Sequence, residues 1–342
     1  MSLFAQPFLT ADVHPSFDVV ATDPRYSGAR IMFDSLFAQA TGLDKNFIRE
    51  FQSQNGFDAR VFELYMFAVL AEAGCEVVGR EAPDFECRMD GTTFYVEVTT
   101  AAQHREEPPA SPAEYFEQLE RSEIDWDALA IRMGSPLYSK LQKRYHRMPH
   151  VVGHPFLIAL QDFGDVGALY HSEISFLSYL LGNKLVDASG GLPAQLLDQE
   201  IQDHQVDGKT IPSGFFNQEG TEHISAILFS NAGTAGKFNR MAKIRGLGDV
   251  QSQMWRRGFE YNSSPEALLP IYFVEEVGVY EEPWHEGSLL IHNPAALHPL
   301  DPELLPTSSQ ITAHEDGLAF RPAARHVYGS QTITIATTDN DA

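Results

Sequence analysis

The chain has 342 residues, 43% of them hydrophobic, and carries 47 acidic against 24 basic side chains for a formal net charge of -23. That length buries a sizeable core in one elaborated domain or in two, while the charge excludes an indiscriminate nucleic-acid binder, whose affinity comes from neutralising phosphates. No apolar run reaches the roughly 18 residues of a spanning helix. The opening stretch MSLFAQPFLTADVHPSF has no basic region ahead of an apolar core, so a soluble, cytoplasmic protein without membrane contact is expected. Cys75 and Cys87, the only cysteines, fall in expected core strands and suit free buried thiols in a reducing compartment.

Residues 1–55 read as an N-terminal segment of loop and helices, clearest from Ile31 to Ala40. Val61 to Ala71 reads VFELYMFAVLA, with Glu63 its single charge, which predicts a largely buried helix. A carboxylate there needs an ionic partner or a metal; a salt bridge to Arg60 or Arg80 is the plainer alternative. The short strand Cys75–Gly79 follows.

From Pro83 to Thr99 the chain reads PDFECRMDGTTFYVEVT. Asp90-Gly91 between β-rich runs is a strong hairpin signal. A two-residue turn sets Met89 opposite Thr92 and Phe85 opposite Val96, and the count continues to Asp84 opposite Glu97. Such neighbours have Cβ atoms roughly 4.5 to 5.5 Å apart, where like charges repel unless something binds between them. A divalent cation would relieve that repulsion, and two carboxylates suit Mg²⁺. The alternative is a solvated hairpin end whose acids diverge.

Residues 103–134, acidic and carrying Pro108, Pro109 and Pro112, read as an insertion covering one edge of the site, with a helix from Pro112 to Arg121. Ser135-Pro136 reads as the N-cap and first position of the next helix, with Leu137, Leu141 and Tyr145 as its buried stripe. At about 100° per residue Lys140 and Arg144 flank that stripe and Lys143 points away from it. An apolar strand, Pro155–Leu160, comes next. Ser172–Leu181 reads as an apolar helix and residues 183–222 as mostly loop with short elements. A second αβ pattern follows: strand Ile224–Ser230, basic helix Thr234–Ile244, and strands Pro270–Val274 and Ser288–His292. These are expected to extend the first sheet, since no Gly-, Pro- or Ser-rich linker intervenes. Thr332–Thr338 alternates like an edge strand, ahead of a disordered end.

Helix with one Glu, strand, Asp-to-Glu hairpin, basic helix, apolar strand: this order resembles the PD-(D/E)XK nuclease superfamily. Glu63 matches its first-helix acid, Pro83-Asp84 its PD element, and Glu97-Val98-Thr99 stands where the family has (D/E)-X-K; the match covers roughly a third of the chain. The resemblance implies an α/β fold, a restriction-endonuclease-like mixed central sheet flanked by helices. Residues 56–165 would be its catalytic core and 166–342 a C-terminal α/β extension packed on or continuing the sheet. It also implies a Mg²⁺- or Mn²⁺-dependent endonuclease acting on DNA, with RNA the second choice. Asp84 and Glu97 would hold the metal, and Glu63 would bind it directly or through water. Thr99 departs from the family: its hydroxyl cannot replace the lysine that orients the attacking water. The superfamily accepts a lysine from a nearby helix, and Lys140 is the candidate. The competing reading, favoured by Thr99 and by the net acidity, is a catalytically inactive member serving as a nucleic-acid-binding or assembly protein. The form of the substrate and the oligomeric state stay open.

Ten of the 24 basic residues fall in two stretches. Lys143 and Arg144 in the first, and Lys237 and Arg240 in the second, are candidate contacts to substrate phosphate. The Gly233–Lys237 turn has the wrong spacing for a P-loop, leaving only a helix N-terminus that could receive an anion. His146, His150 and His154 recur every four residues, but Pro149 and Gly153 break any helix that would align them as metal ligands.

Overall fold

Asp90 and Gly91 both take positive φ, 48° and 77°, the pair of left-handed positions that a two-residue type I′ hairpin requires. The turn fixes the register, with Met89 opposite Thr92 and Phe85 opposite Val96. In the computed structural model this hairpin is the start of a large mixed sheet. The structure describes residues 2–6, 8–101, 126–163, 173–186, 195–248, 252–264, 269–314 and 317–335. The expected helix Pro112–Arg121 and the end of the expected tail strand lie outside them.

Helices α1 (Pro15–Thr22), α2 (Ser27–Gln39), α3 (Phe47–Gln52) and α4 (Phe57–Glu72) precede strands β1 (Glu76–Gly79), β2 (Phe85–Met89) and β3 (Thr92–Ala101). Cys75 falls just before β1. Helix α5 (Trp126–Gln142) leads into β4 (Phe156–Asp162), and α6 (Glu173–Leu181) follows. In the stretch expected as mostly loop with short elements, β5 (Asn183–Val186) pairs antiparallel with β6 (Gln195–Glu200), and β7 (Asp203–Val206) with β8 (Lys209–Pro212). The remaining elements are β9 (Ala226–Ser230), α7 (Ala235–Ile244), β10 (Gln253–Glu260), β11 (Ile271–Glu276), β12 (Ser288–His292), β13 (Ser309–His314), β14 (Gly317–Arg321) and β15 (Val327–Ile335).

Eight strands form the central sheet in the order β1-β2-β3-β4-β9-β12-β13-β14. β1 to β3 are an antiparallel meander, and β4 joins β3 in parallel across α5, as a helical crossover allows. β9 then pairs in parallel with β4 and antiparallel with β12. The central strands read as apolar runs because both faces are covered. On one face α1 to α4 and α7 enclose a core containing Phe33, Phe62, Phe85, Val96 and Phe238. On the other, α5 and α6 cover Tyr95, Ile158, Leu160 and Phe229. Strands β11, β10 and β15 make a separate three-stranded sheet, so the expectation that Pro270–Val274 extends the first sheet is corrected. No helix among the described residues is long and apolar enough to cross a membrane.

A second correction concerns α5, which begins at Trp126 and carries Pro136 in its interior rather than at its first position. Ser135 is no cap: its hydroxyl donates back to the Ile131 carbonyl at 2.6 Å. An interior proline costs about 3 kcal/mol. Leu129, Met133, Leu137 and Leu141, spaced four apart and all buried, each contribute about 1.5–3 kcal/mol, and this stripe carries the helix through Pro136.

Candidate active site

β3 presents Val96 and Val98 to the α4 side of the sheet and Tyr95 to the α5 side. Glu97, alternating with them, lies on the α5 side at 5% exposure. A carboxylate buried there needs compensation. Its Oε1 accepts a hydrogen bond from the Lys140 ammonium of α5 at 2.5 Å. The hydroxyl of Tyr145, just past the end of α5, bonds the same carboxylate, and burial together with the Glu97 charge pushes that phenol well up. Tyr145 is held against Phe156 of β4 with ring centroids 5.2 Å apart.

The β2–β3 ladder ends at Phe85 and Val96, one residue short of the expected Asp84–Glu97 pair, while the Asp84 carbonyl accepts the Arg80 N–H at 2.8 Å in register with β1. The Asp84 N–H donates to Glu97 Oε2 at 3.3 Å, and Asp84 Oδ2 accepts the Val98 N–H at 2.7 Å. The two acids are thus tied through backbone amides as well as being neighbours. Burial first, then the charges of Glu97 and Glu63, push the Asp84 carboxyl up to about 8, against the Val98 amide and Lys140, which hold it down.

Glu63 is buried on α4, and Arg60, one turn before it, engages its carboxylate together with that of Glu50. Its proton affinity is nonetheless raised, by burial and by Glu50 and Glu97. Glu63, Asp84, Glu97 and Lys140 therefore stand within electrostatic reach of one another, three acids against Lys140 and a shared Arg60.

This donor set consists of hard oxygens, the kind Mg²⁺ takes, and the mutual repulsion that raises Asp84 is the kind a cation relieves. Asp84 and Glu97 supply two carboxylates of that kind, tied together through the Asp84 amide. Glu63, the expected third ligand, is engaged by Arg60, and among the described residues no group of three or more His, Cys, Asp or Glu side chains is arranged to hold a metal.

Of the four candidate phosphate contacts, Lys143 and Arg144 are exposed directly beyond α5, Arg144 in the left-handed conformation that ends the helix. Lys237 and Arg240 are not available and are corrected. Lys237 is fully buried and donates to Glu282 Oε1 and the Pro283 carbonyl, both at 2.6 Å; Arg240 grips Glu282 at 2.7 and 2.8 Å. Arg256, also buried, pairs with Glu286 and lies 3.4 Å from Glu282. Half of the second basic stretch, Lys237, Arg240 and Arg256, is thus an internal ion cluster between α7 and the small sheet. His146 stacks on His223, while His150 bonds the Ala82 carbonyl at 2.9 Å.

Sequence reasoning placed Tyr145 in the helix stripe and missed its hydroxyl, since Tyr145 lies past the left-handed Arg144 that ends the helix and no helical spacing ties it to Lys140. It also missed Glu50, thirteen residues from Glu63, for which no local signal existed.

Comparison with models of known protein families, with curated proteins and with solved structures returned no match. Fold and site together define a mixed α/β protein whose large mixed sheet is flanked by helices and carries a carboxylate–lysine cluster between the β2–β3 hairpin and α5.

Proposed function

We propose that the chain is a metal-dependent phosphodiesterase of PD-(D/E)XK type, an endonuclease acting on DNA, with Asp84 and Glu97 holding Mg²⁺ or Mn²⁺. The observation that carries this reading is the Lys140 ammonium on Glu97. It brings a lysine from a helix to the acid beside which Thr99 leaves no ammonium. The succession α4, β1–β3, α5, β4, with β3 and β4 parallel, supports it as well.

Bound between the two acids, the cation would lower the pKa of a ligated water and offset phosphate charge. Lys140 would orient that water and donate to a phosphate oxygen as charge builds there. Tyr145 steadies Glu97, and Arg60 holds Glu63 in place near the other acids. Lys143 and Arg144 put positive charge where a nucleic-acid backbone could pass, local attraction on an otherwise acidic body.

The test is purified protein with plasmid, linear duplex, single-stranded DNA and RNA in Mg²⁺ or Mn²⁺, with chelator and Asp84→Asn controls. Chelator-sensitive cutting that disappears in the variant supports the proposal; full activity in Asp84→Asn sinks it. A second reading, a non-catalytic fold that binds nucleic acid or assembles with a partner, is favoured by one observation: both Glu97 oxygens and the Glu63 carboxylate already have protein partners. That reading requires no Mn²⁺ binding.

A further inference from the structure

The Lys140–Glu97 pair has a geometry that goes beyond supplying a lysine. Glu97 is 5% exposed and its Oε1 is taken by the ammonium at 2.5 Å. Its Oε2 accepts the Asp84 amide, and the Tyr145 hydroxyl adds a further bond. Asp84 in turn has one oxygen on the Val98 amide. The positive charge nearest to the Asp84–Glu97 pair is thus already there, delivered by α5. Lys140 itself is different from its partner: its side chain keeps 24% exposure against 6% for that of Glu97. A long aliphatic stem with a partly wet head can swing its charge into water at little cost, whereas Glu97 is pinned in the sheet.

Resting on the reading of Asp84 and Glu97 as metal ligands, we propose that Lys140 occupies the cation's place in the metal-free protein, so that divalent ions bind by displacing it. The ammonium neutralises Glu97 until a divalent ion arrives; Lys140 then leaves Glu97, gains solvent, and becomes free to face the scissile phosphate. Displacement makes one side chain both the competitor for the site and a participant in the proposed chemistry. Affinity is reduced by the fraction of molecules in which Lys140 has let go, the usual effect when the binding-competent state is a minority.

The experiment is Mn²⁺ titration calorimetry on the wild-type chain, Lys140→Met, Lys140→Gln and Asp84→Asn, with amine-acetylation footprinting of wild-type Lys140 read by mass spectrometry. Tighter Mn²⁺ binding by both Lys140 variants, about tenfold for a pair that keeps nine molecules in ten closed, supports displacement, and Asp84→Asn should not bind. In the wild-type chain, which carries no folding risk, acetylation of Lys140 should rise several-fold with saturating Mn²⁺ while that of exposed Lys143 stays constant. Unchanged or weaker binding by the Lys140 variants, or an unchanged Lys140 footprint on a Mn²⁺-bound wild type, overturns the displacement and leaves the metal reading standing. No Mn²⁺ binding by any form overturns both.

Discussion

Asp84→Asn separates stability from activity. The substitution is isosteric: the amide oxygen can keep the Val98 N–H, and the new NH₂ group can face the Glu97 and Glu63 carboxylates as a donor. In the wild type, burial and those two charges move the Asp84 carboxyl from 3.8 to about 8, so the folded state binds its proton more tightly than the unfolded chain does. Stability contributed by this group is therefore complete below pH about 4 and is lost progressively as pH rises through about 8. Each tenfold change in proton affinity corresponds to about 1.4 kcal/mol. Asp84 would thus cost ~6 kcal/mol at high pH if it carried the repulsion alone. The repulsion is shared with Glu63 and solvent reaches part of the side chain, so we expect Asp84→Asn to stabilise the metal-free protein by about 2 kcal/mol at pH 8 and by little at pH 4. Urea denaturation of both proteins in chelator across this range measures the difference directly. An advantage that does not grow with pH, or a destabilised variant at pH 8, would refute the view that repulsion among these acids is built into the fold.

Lys140→Met should abolish the proposed cutting, and adding Thr99→Lys should restore part of it by putting the ammonium on β3 beside Glu97; plasmid nicking assays on single and double variants decide this. Glu282→Ala leaves Lys237, Arg240 and Arg256 buried around a missing carboxylate, and such removals cost about 3–5 kcal/mol. Thermal melting of Glu282→Ala should show the loss, with Lys143→Ala, which alters an exposed charge, as the near-neutral control. Burial pushes the Cys75 thiol up to about 11 and Cys87 well above its ordinary range, so neither should react with a thiol reagent at pH 8 until the chain is unfolded in urea.

Local chemistry made half of this site legible. Asp90-Gly91 demanded a specific turn, and the turn dictated the register up to Phe85; a lone Glu in an apolar helix demanded a partner, and Arg60 is that partner. Lys140 was reachable from helical periodicity alone because Leu137 and Leu141 on the buried stripe fixed its direction. What failed were inferences in which local preference met tertiary packing. Pro136 reads as a helix start, yet the stripe from Leu129 onward outweighs it. Lys237 and Arg240 read as a basic surface, but their carboxylate partner Glu282 lies 45 and 42 residues away, and no pattern between those positions announces it. The sheet membership of Pro270–Val274 failed for the same reason: strand character is local, whereas the choice of neighbour is not.

The position of β4 in the sheet bears on how the chain is made. β4 is flanked by β3 on one side and by β9 on the other, and β9 is translated only after α6 and both small strand pairs. On the ribosome, an apolar strand buried along its whole length in the finished protein therefore waits with one row of amides and carbonyls unpaired, a template for pairing with another chain. A fragment ending at Phe163 would keep that open edge permanently. It would hold Glu63, Asp84, Glu97 and Lys140 and still be a poor protein, since the cut falls through the middle of the sheet and not at its border.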